Sequence, residues 1–192
     1  MTGVDLSRDM LSQAAQKARD AGLEIPFVCQ DMCHMQLHRR QDAILCTCDG
    51  VNYLTTPDRA RRFFRAAYAQ LKPGGALIFD VSTPEKLSGT LGDHTLGCQE
   101  EDISYIWQNA YHPRTRTVDM RLSIFVGDTD GRYQRLEETQ TQRAHTLEEL
   151  TKYLAEAGFA DIRAYGKLAL RAPRPGDERW HIRAIRPKEN AK

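Results

Sequence analysis

Over the first eighty residues, apolar positions come in short runs divided by stretches of helical spacing. Val4 and Leu6, then Met10, Leu11, Ala14, Ala15 and Ala18, are placed for a buried strand end followed by one apolar helix face, with Ser7 as the N-cap. This helix is expected to stop near Gly22. Residues 25–29 read as a short strand running towards Asp31, and residues 42–48 as a continuous apolar run suited to a parallel strand buried on both faces. Residues 55–71 return to helical spacing, with Pro57 in the first turn where no N–H is needed, and close at Lys72-Pro73-Gly74-Gly75. Residues 76–81 are the next buried strand. Short apolar strands alternating with amphipathic helices predict an α/β fold with an open, mostly parallel sheet, whose ligands sit beyond the C-terminal strand ends.

The rhythm changes after residue 103. Residues 104–111, 117–126 and 133–141 are rich in β-formers and are separated by Pro113-Arg114 and Asp128-Thr129-Asp130-Gly131, which predicts an antiparallel insertion acting as a lid or wall. Thr146-Leu147-Glu148-Glu149 has capping-box spacing and opens a helix through Ala157, ended by Gly158. Strands over 159–170 and 180–185, joined by the turn-rich residues 172–177, form an antiparallel hairpin. The chain thus divides into a partial cofactor-binding α/β core (1–103), an antiparallel β insertion or substrate lid (104–145), a helix and hairpin completing the sheet (146–187), and a solvated tail (188–192).

Charge narrows the partners. The 27 Lys and Arg against 26 Asp and Glu leave +1, which makes no electrostatic case for nucleic acid or an anionic membrane. No run of 18 apolar residues occurs, and no basic segment precedes an apolar stretch at the start, so a cytoplasmic protein is expected. Cys29, Cys33, His34, Cys46 and Cys48 lack the paired two-residue gaps of zinc ribbons, and with Cys98 they read as reduced structural thiols rather than a metal site.

Gly3-Val4-Asp5-Leu6-Ser7 with Met10-Leu11 and Ala14-Ala15, Gln30-Asp31-Met32, residues 46–54, Leu71 to Asp80, and Glu149-Leu150 with Ala157-Gly158-Phe159 stand in the order of five motifs of the class I S-adenosylmethionine-dependent methyltransferases, which the chain resembles. That resemblance implies a Rossmann-like methyltransferase sheet and S-adenosyl-L-methionine as cofactor. It implies Asp5 as the ribose ligand, with Leu6 and Met10 beside it, and Asp31 and Met32 around the adenine. A carboxylate suits a ribose because it accepts from both neighbouring hydroxyls. Asp5 also suits a helix cap, and Asp31 a turn. Residues 46–54 resemble the loop lining sulfonium and acceptor, so Cys48 joins the cofactor set and Asp49, Asn52 and Tyr53 line the transfer site. Asp49 reads equally as a proton acceptor and as a turn residue beside Gly50. Tyr111, His112 and His145 are candidates to face the acceptor from the insertion, whereas Trp107 and Trp180 read as packing.

The family's first strand and its Gly-rich loop are missing ahead of Asp5. In the family that strand lies between the second and fourth, so two inner edges are expected either to stay unpaired or to close up, and unpaired edges invite self-association. A wrongly chosen Met1, a decayed fragment, or a strand supplied by another chain would each account for it. The reaction expected is methyl transfer to a small-molecule acceptor by in-line displacement, in which orienting the reactants does most of the work. A non-catalytic fragment that associates with another chain is one alternative. A dinucleotide-dependent oxidoreductase is the other, disfavoured by the antiparallel ending.

Overall fold

A computed structural model describes residues 1–166 and 169–188. Strand β1 (Gly3–Asp5) leads into helix α1 (Arg8–Asp20), whose first turn is capped as its sequence predicts: Ser7 Oγ accepts from Met10 N at 3.2 Å. Strand β2 (Phe27–Cys29) pairs in parallel with β1, Val4 opposite Val28. Next come β3 (Gln41–Cys46), helix α2 (Pro57–Gln70), capped by Thr56, and β4 (Leu71–Ser82), which runs parallel to β3.

Four antiparallel strands follow: β5 (Thr95–Gln99), β6 (Ile103–His112), β7 (Thr117–Gly127) and β8 (Tyr133–Arg143). Helix α3 (Leu147–Glu156) opens on a complete capping box, with Thr146 and Glu149 bonding each other's backbone N–H. Its end turns at Gly158, φ +100°, where an added Cβ would press to 3.1 Å from the Tyr68 ring. Strands β9 (Ala160–Gly166) and β10 (Arg179–Ile185) close the fold as an antiparallel pair, β10 lying against β4.

The described strands make three sheets, ordered β1-β2, β3-β4-β10-β9 and β5-β6-β7-β8. The main core lies between the second sheet and helices α2 and α3. Phe63, Phe64 and Phe79 pack at centroid separations of 5.3 and 5.4 Å, with Leu77, Leu150, Leu154 and Ile182 buried around them. Each such side chain contributes about 1.5–3 kcal/mol of burial. Leu87, Leu91, Val118, Met120 and Ala144 form a second cluster under the antiparallel sheet.

Three expectations change. β3 is not buried on both faces, and Leu45 is 67% exposed, because β3 pairs with β4 alone and no described strand covers its other edge. The inner edges therefore stay apart, and Leu6 and Met10 are exposed beside them at 69% and 61%. The antiparallel sheet starts at Thr95, before residue 104, and one π-helical turn over residues 86–91 precedes it. The expected strand over 159–170 ends at Gly166; residues 167 and 168 lie outside the described residues, and residues 169 and 170 sit in a bend.

Candidate active site

The loop after β3 turns on two consecutive left-handed residues, Cys48 (φ 59°) and Asp49 (φ 61°), followed by a short 3-10 turn over Gly50–Tyr53. Gly50 is required there, since a Cβ would stand 2.8 Å from Cys46 Sγ. Left-handed backbone costs a non-glycine residue roughly 1–2 kcal/mol, so other contacts must hold the turn. Asp49 supplies several. Its Oδ1 accepts from Ser82 Oγ at 3.0 Å, and Arg179 donates to both of its oxygens, at 2.7 and 3.1 Å. Arg179 also pairs with buried Asp80, two residues before Ser82, which the register sets opposite Arg179. One guanidinium on β10 thus clamps two carboxylates, one from the loop and one from β4.

Asn52 is fully buried, and its amide joins three elements. Nδ2 donates to the carbonyls of Ser82 and Arg143, each at 3.0 Å, and Oδ1 accepts from Ser82 N at 2.9 Å. Asn52, expected at the transfer site, thus has no exposed surface, and its amide ties the loop to β4 and to residue 143.

His145, expected to face the acceptor, is likewise enclosed. It is fully buried, with Nδ1 accepting from Arg143 Nη1 at 2.7 Å, which leaves the ring proton on Nε2. Nε2 lies near the Val51 and Leu54 carbonyls without forming a hydrogen bond of good geometry. Burial, with the Arg143 charge beside it, pushes its pKa down to about 4. Arg143 in turn donates to Glu149 at 3.0 Å, and Arg116 does so at 2.5 Å. Desolvation raises the Glu149 carboxyl, but bonds from Arg143 and the Thr146 N–H outweigh it and set the pKa at about 2. Tyr111 packs against the Leu87 and Leu91 cluster and does not line the cleft described next; exposed His112 pairs with Asp119 at 2.9 Å.

A cleft of about 160 Å³ lies between this loop and the antiparallel sheet. Asp49, Tyr53 and Ser82 line one side, and Trp107, Met120 and Gln140 face them. Tyr53 O–H donates to Gln140 Oε1 at 2.6 Å across it. Period-2 alternation on three strands puts the sheet residues on one face: Asn109, Met120 and Gln140 are in register, with Trp107, Leu122 and Glu138 two positions along.

The expected cofactor residues lie elsewhere, on the open edge. Asp5 Oδ1 accepts from Ser7 N at 2.8 Å, which leaves Oδ2 available beside the exposed Leu6 and Met10. Asp31 accepts from Cys33 N at 2.9 Å and twice from Arg59 Nη2, at 3.1 and 3.4 Å, so its capping role is real, and these three contacts overcome desolvation to lower its pKa. A carboxylate has about four acceptor sites, so one remains for an amino group. Met32 is partly buried and Cys48 exposed. None of these residues lines the cleft beside Tyr53.

A family model described as "Methyltransferase domain" matches residues 1–75. The Bacillus subtilis (strain 168) protein named "Putative methyltransferase YqeM" is 35% identical over 189 residues, 98% of this chain and 76% of that protein. The crystal structure of an S-adenosylmethionine-dependent methyltransferase from Clostridium acetobutylicum ATCC 824 is 30% identical with a TM-score of 0.91, covering 98% of this chain and 75% of the other. This chain belongs to the S-adenosylmethionine-dependent methyltransferases. SAM-bound CalS10, an amino pentose methyltransferase from Micromonospora echinaspora, shares the fold at 23% identity and a TM-score of 0.72, over 96% of this chain and 73% of its own.

Membership in this family sets aside the dinucleotide oxidoreductase alternative, and the cofactor that goes with the family is S-adenosylmethionine. The residues present fit that group in part. A free carboxylate oxygen on Asp5 suits a diol, and the exposed Leu6 and Met10 suit a flat ring or thioether chain. Sequence reasoning missed Ser82, Gln140 and Arg179. The alternation Val118, Met120, Leu122 was a signal for the sheet face, but nothing local signals a clamp between residues 49 and 179.

Proposed function

We propose that the chain methylates a small-molecule nucleophile in the cleft between Asp49, Tyr53 and the antiparallel sheet. The observation that carries this reading is the cleft itself: about 160 Å³, beyond the C-terminal ends of β3 and β4, with a carboxylate and a phenol on its wall. S-adenosylmethionine, when bound, would supply the methyl group to the nucleophile and would leave as S-adenosylhomocysteine. Asp49 and Tyr53 orient the acceptor, and Asp49 offsets positive charge developing on an attacking amine. Asp49 is already held by Arg179 and Ser82, so its part is to position the acceptor, and the nucleophile's proton goes to solvent. Asp5, with Leu6, Met10, Asp31, Met32 and Cys48, holds the cofactor.

Two further features belong to this reading. Five free cysteines suit a reducing compartment such as the cytoplasm, and no described helix is long and apolar enough to cross a membrane. The uncovered edges of β1 and β3 favour self-association, which sedimentation against concentration would detect.

Calorimetry with S-adenosylhomocysteine tests the reading. We expect micromolar binding, weakened about tenfold or more in Asp5→Ala, the loss of one charged hydrogen-bond partner. Absence of binding by the unsubstituted chain overturns the proposal that these residues hold the cofactor.

A further inference from the structure

A second, larger cleft of about 580 Å³ opens beside the first, against the loop between β9 and β10. Its walls carry four cations: Lys86, Arg171, Arg174 and Arg179. Two are already matched. Arg179 is held by Asp49 and Asp80, and Arg171 grips Asp177 through two bonds, at 2.5 and 2.8 Å. Asp177 is engaged further by Arg174 N–H at 2.8 Å, and the Arg174 charge acts on it as well, more weakly than that of Arg171.

Lys86 and Arg174 remain. Neither side chain has a hydrogen-bond or ion-pair partner among the described residues; the contacts of both run through their backbone N–H, to Thr83 Oγ1 and to Asp177. Glu178, which accepts from the Thr90 hydroxyl, is the one lining carboxylate outside an ion pair. At the cleft wall, His181 Nδ1 is buried without a partner. Among the described residues, Lys86 and Arg174 thus line one concavity with side chains outside any hydrogen bond or ion pair, alongside the carboxylate of Glu178.

The rim is also preformed. Gly166 lets the Arg171–Asp177 pair lie directly on the strand end, since an added Cβ would overlap the Asp177 carboxylate and stand 2.5 Å from Arg171 Nη1. That pair and the Asp177 bond to Arg174 N–H fix the loop bearing Arg174 before any ligand arrives, which lowers the ordering cost of binding. Lys86 lines both clefts, so a molecule reaching from one to the other passes its ammonium group.

We infer that the methyl acceptor is a phosphorylated small molecule, whose phosphate is bound by Lys86 and Arg174 in the larger cleft while its nucleophilic atom lies between Asp49 and Tyr53. This rests on the methyl-transfer reading for the second half of that statement only. A phosphate presents several oxygens that can accept from an ammonium and a guanidinium together.

The test is calorimetric titration of the chain with inorganic phosphate, with acetate at equal ionic strength as the comparison. Saturable phosphate binding is expected, falling at least tenfold in Lys86→Gln and in Arg174→Gln and vanishing in the double variant, with each variant's thermal midpoint checked to show that it is folded. Wild-type chain that shows no saturable binding, or a folded double variant that binds as wild type does, overturns the subsite. Equal binding of acetate overturns the assignment to phosphate. S-adenosylhomocysteine affinity separates the two readings: Arg174→Gln, which lines the larger cleft alone, should leave it within twofold. Phosphate binding that persists in a chain unable to bind S-adenosylhomocysteine leaves the subsite standing while the cofactor reading falls.

Discussion

Replacing Asn52 by Ala isolates what holds the loop at the cleft. The substitution removes an amide with three bonds of 2.9–3.0 Å, at a position with no solvent exposure. It strands the Ser82 N–H, the Ser82 carbonyl and the Arg143 carbonyl. Each buried polar group left unsatisfied costs about 1–3 kcal/mol, so the total is roughly 3–6 kcal/mol after partial relaxation. In a domain of this size each kcal/mol moves the thermal midpoint by roughly 2–4 °C, giving a fall on the order of 10 °C. Urea unfolding followed by circular dichroism measures the loss, and Tyr53→Phe serves as the comparison because Tyr53 is exposed and has one side-chain bond. Asn52→Asp sharpens the test. Its carboxylate would face two carbonyl oxygens and its pKa would rise, so this variant should regain stability as pH falls and the acid donates to one of them. A loss below about 1 kcal/mol for Asn52→Ala, less than a single stranded group costs, would refute the claim that this amide ties the loop to both sheets.

Two other expectations concern the cluster next to it. His145, lowered to about 4, stays neutral in the folded chain while the unfolded chain takes up a proton near 6.5; stability should therefore decline from about pH 6.5 down to pH 4, by roughly 3 kcal/mol, and His145→Gln should flatten that window in pH-dependent urea titrations. Glu149, lowered to about 2, contributes stability that is complete above its unfolded pKa and is lost as pH falls through 2; Glu149→Gln should cost about 2–4 kcal/mol at pH 7, because buried Arg143 loses its counter-charge, and a midpoint shift under about 2 °C would contradict it.

What could be read from the sequence followed local rules. The β-forming residues and the turns between them placed β6, β7 and β8 within two residues of their bounds, and the Thr146 capping box and Pro57 fixed the starts of α3 and α2. β5 escaped because Thr-Leu-Gly-Cys-Gln is short, interrupted by glycine and paired on one side only. At the site, Asp49 and Tyr53 lie on the cleft wall whereas Asn52 and His145 are enclosed, a difference that a linear sequence does not report. Trp107 was read as packing and in fact does both: it lies against the Leu87 cluster and lines the cleft. The Arg179 clamp on Asp49 and Asp80 is invisible locally, since it depends on β10 returning against β4 in one register.

The antiparallel sheet is anchored at one end and free at the other. Near Val118, Met120 and Arg143 it is fixed to the core, whereas the turn after β7 and most of β8 from Tyr133 onward are exposed. At about 3.3 Å per residue, the 11 residues of β7 make a beam of roughly 36 Å. A tilt of about 5° at the anchored base moves the far tip by about 3 Å and the cleft wall near Met120 by a small fraction of that. Mechanically the sheet is a cantilever: thermal swing is largest where nothing reacts, and the surface facing Asp49 and Tyr53 is close to its fulcrum.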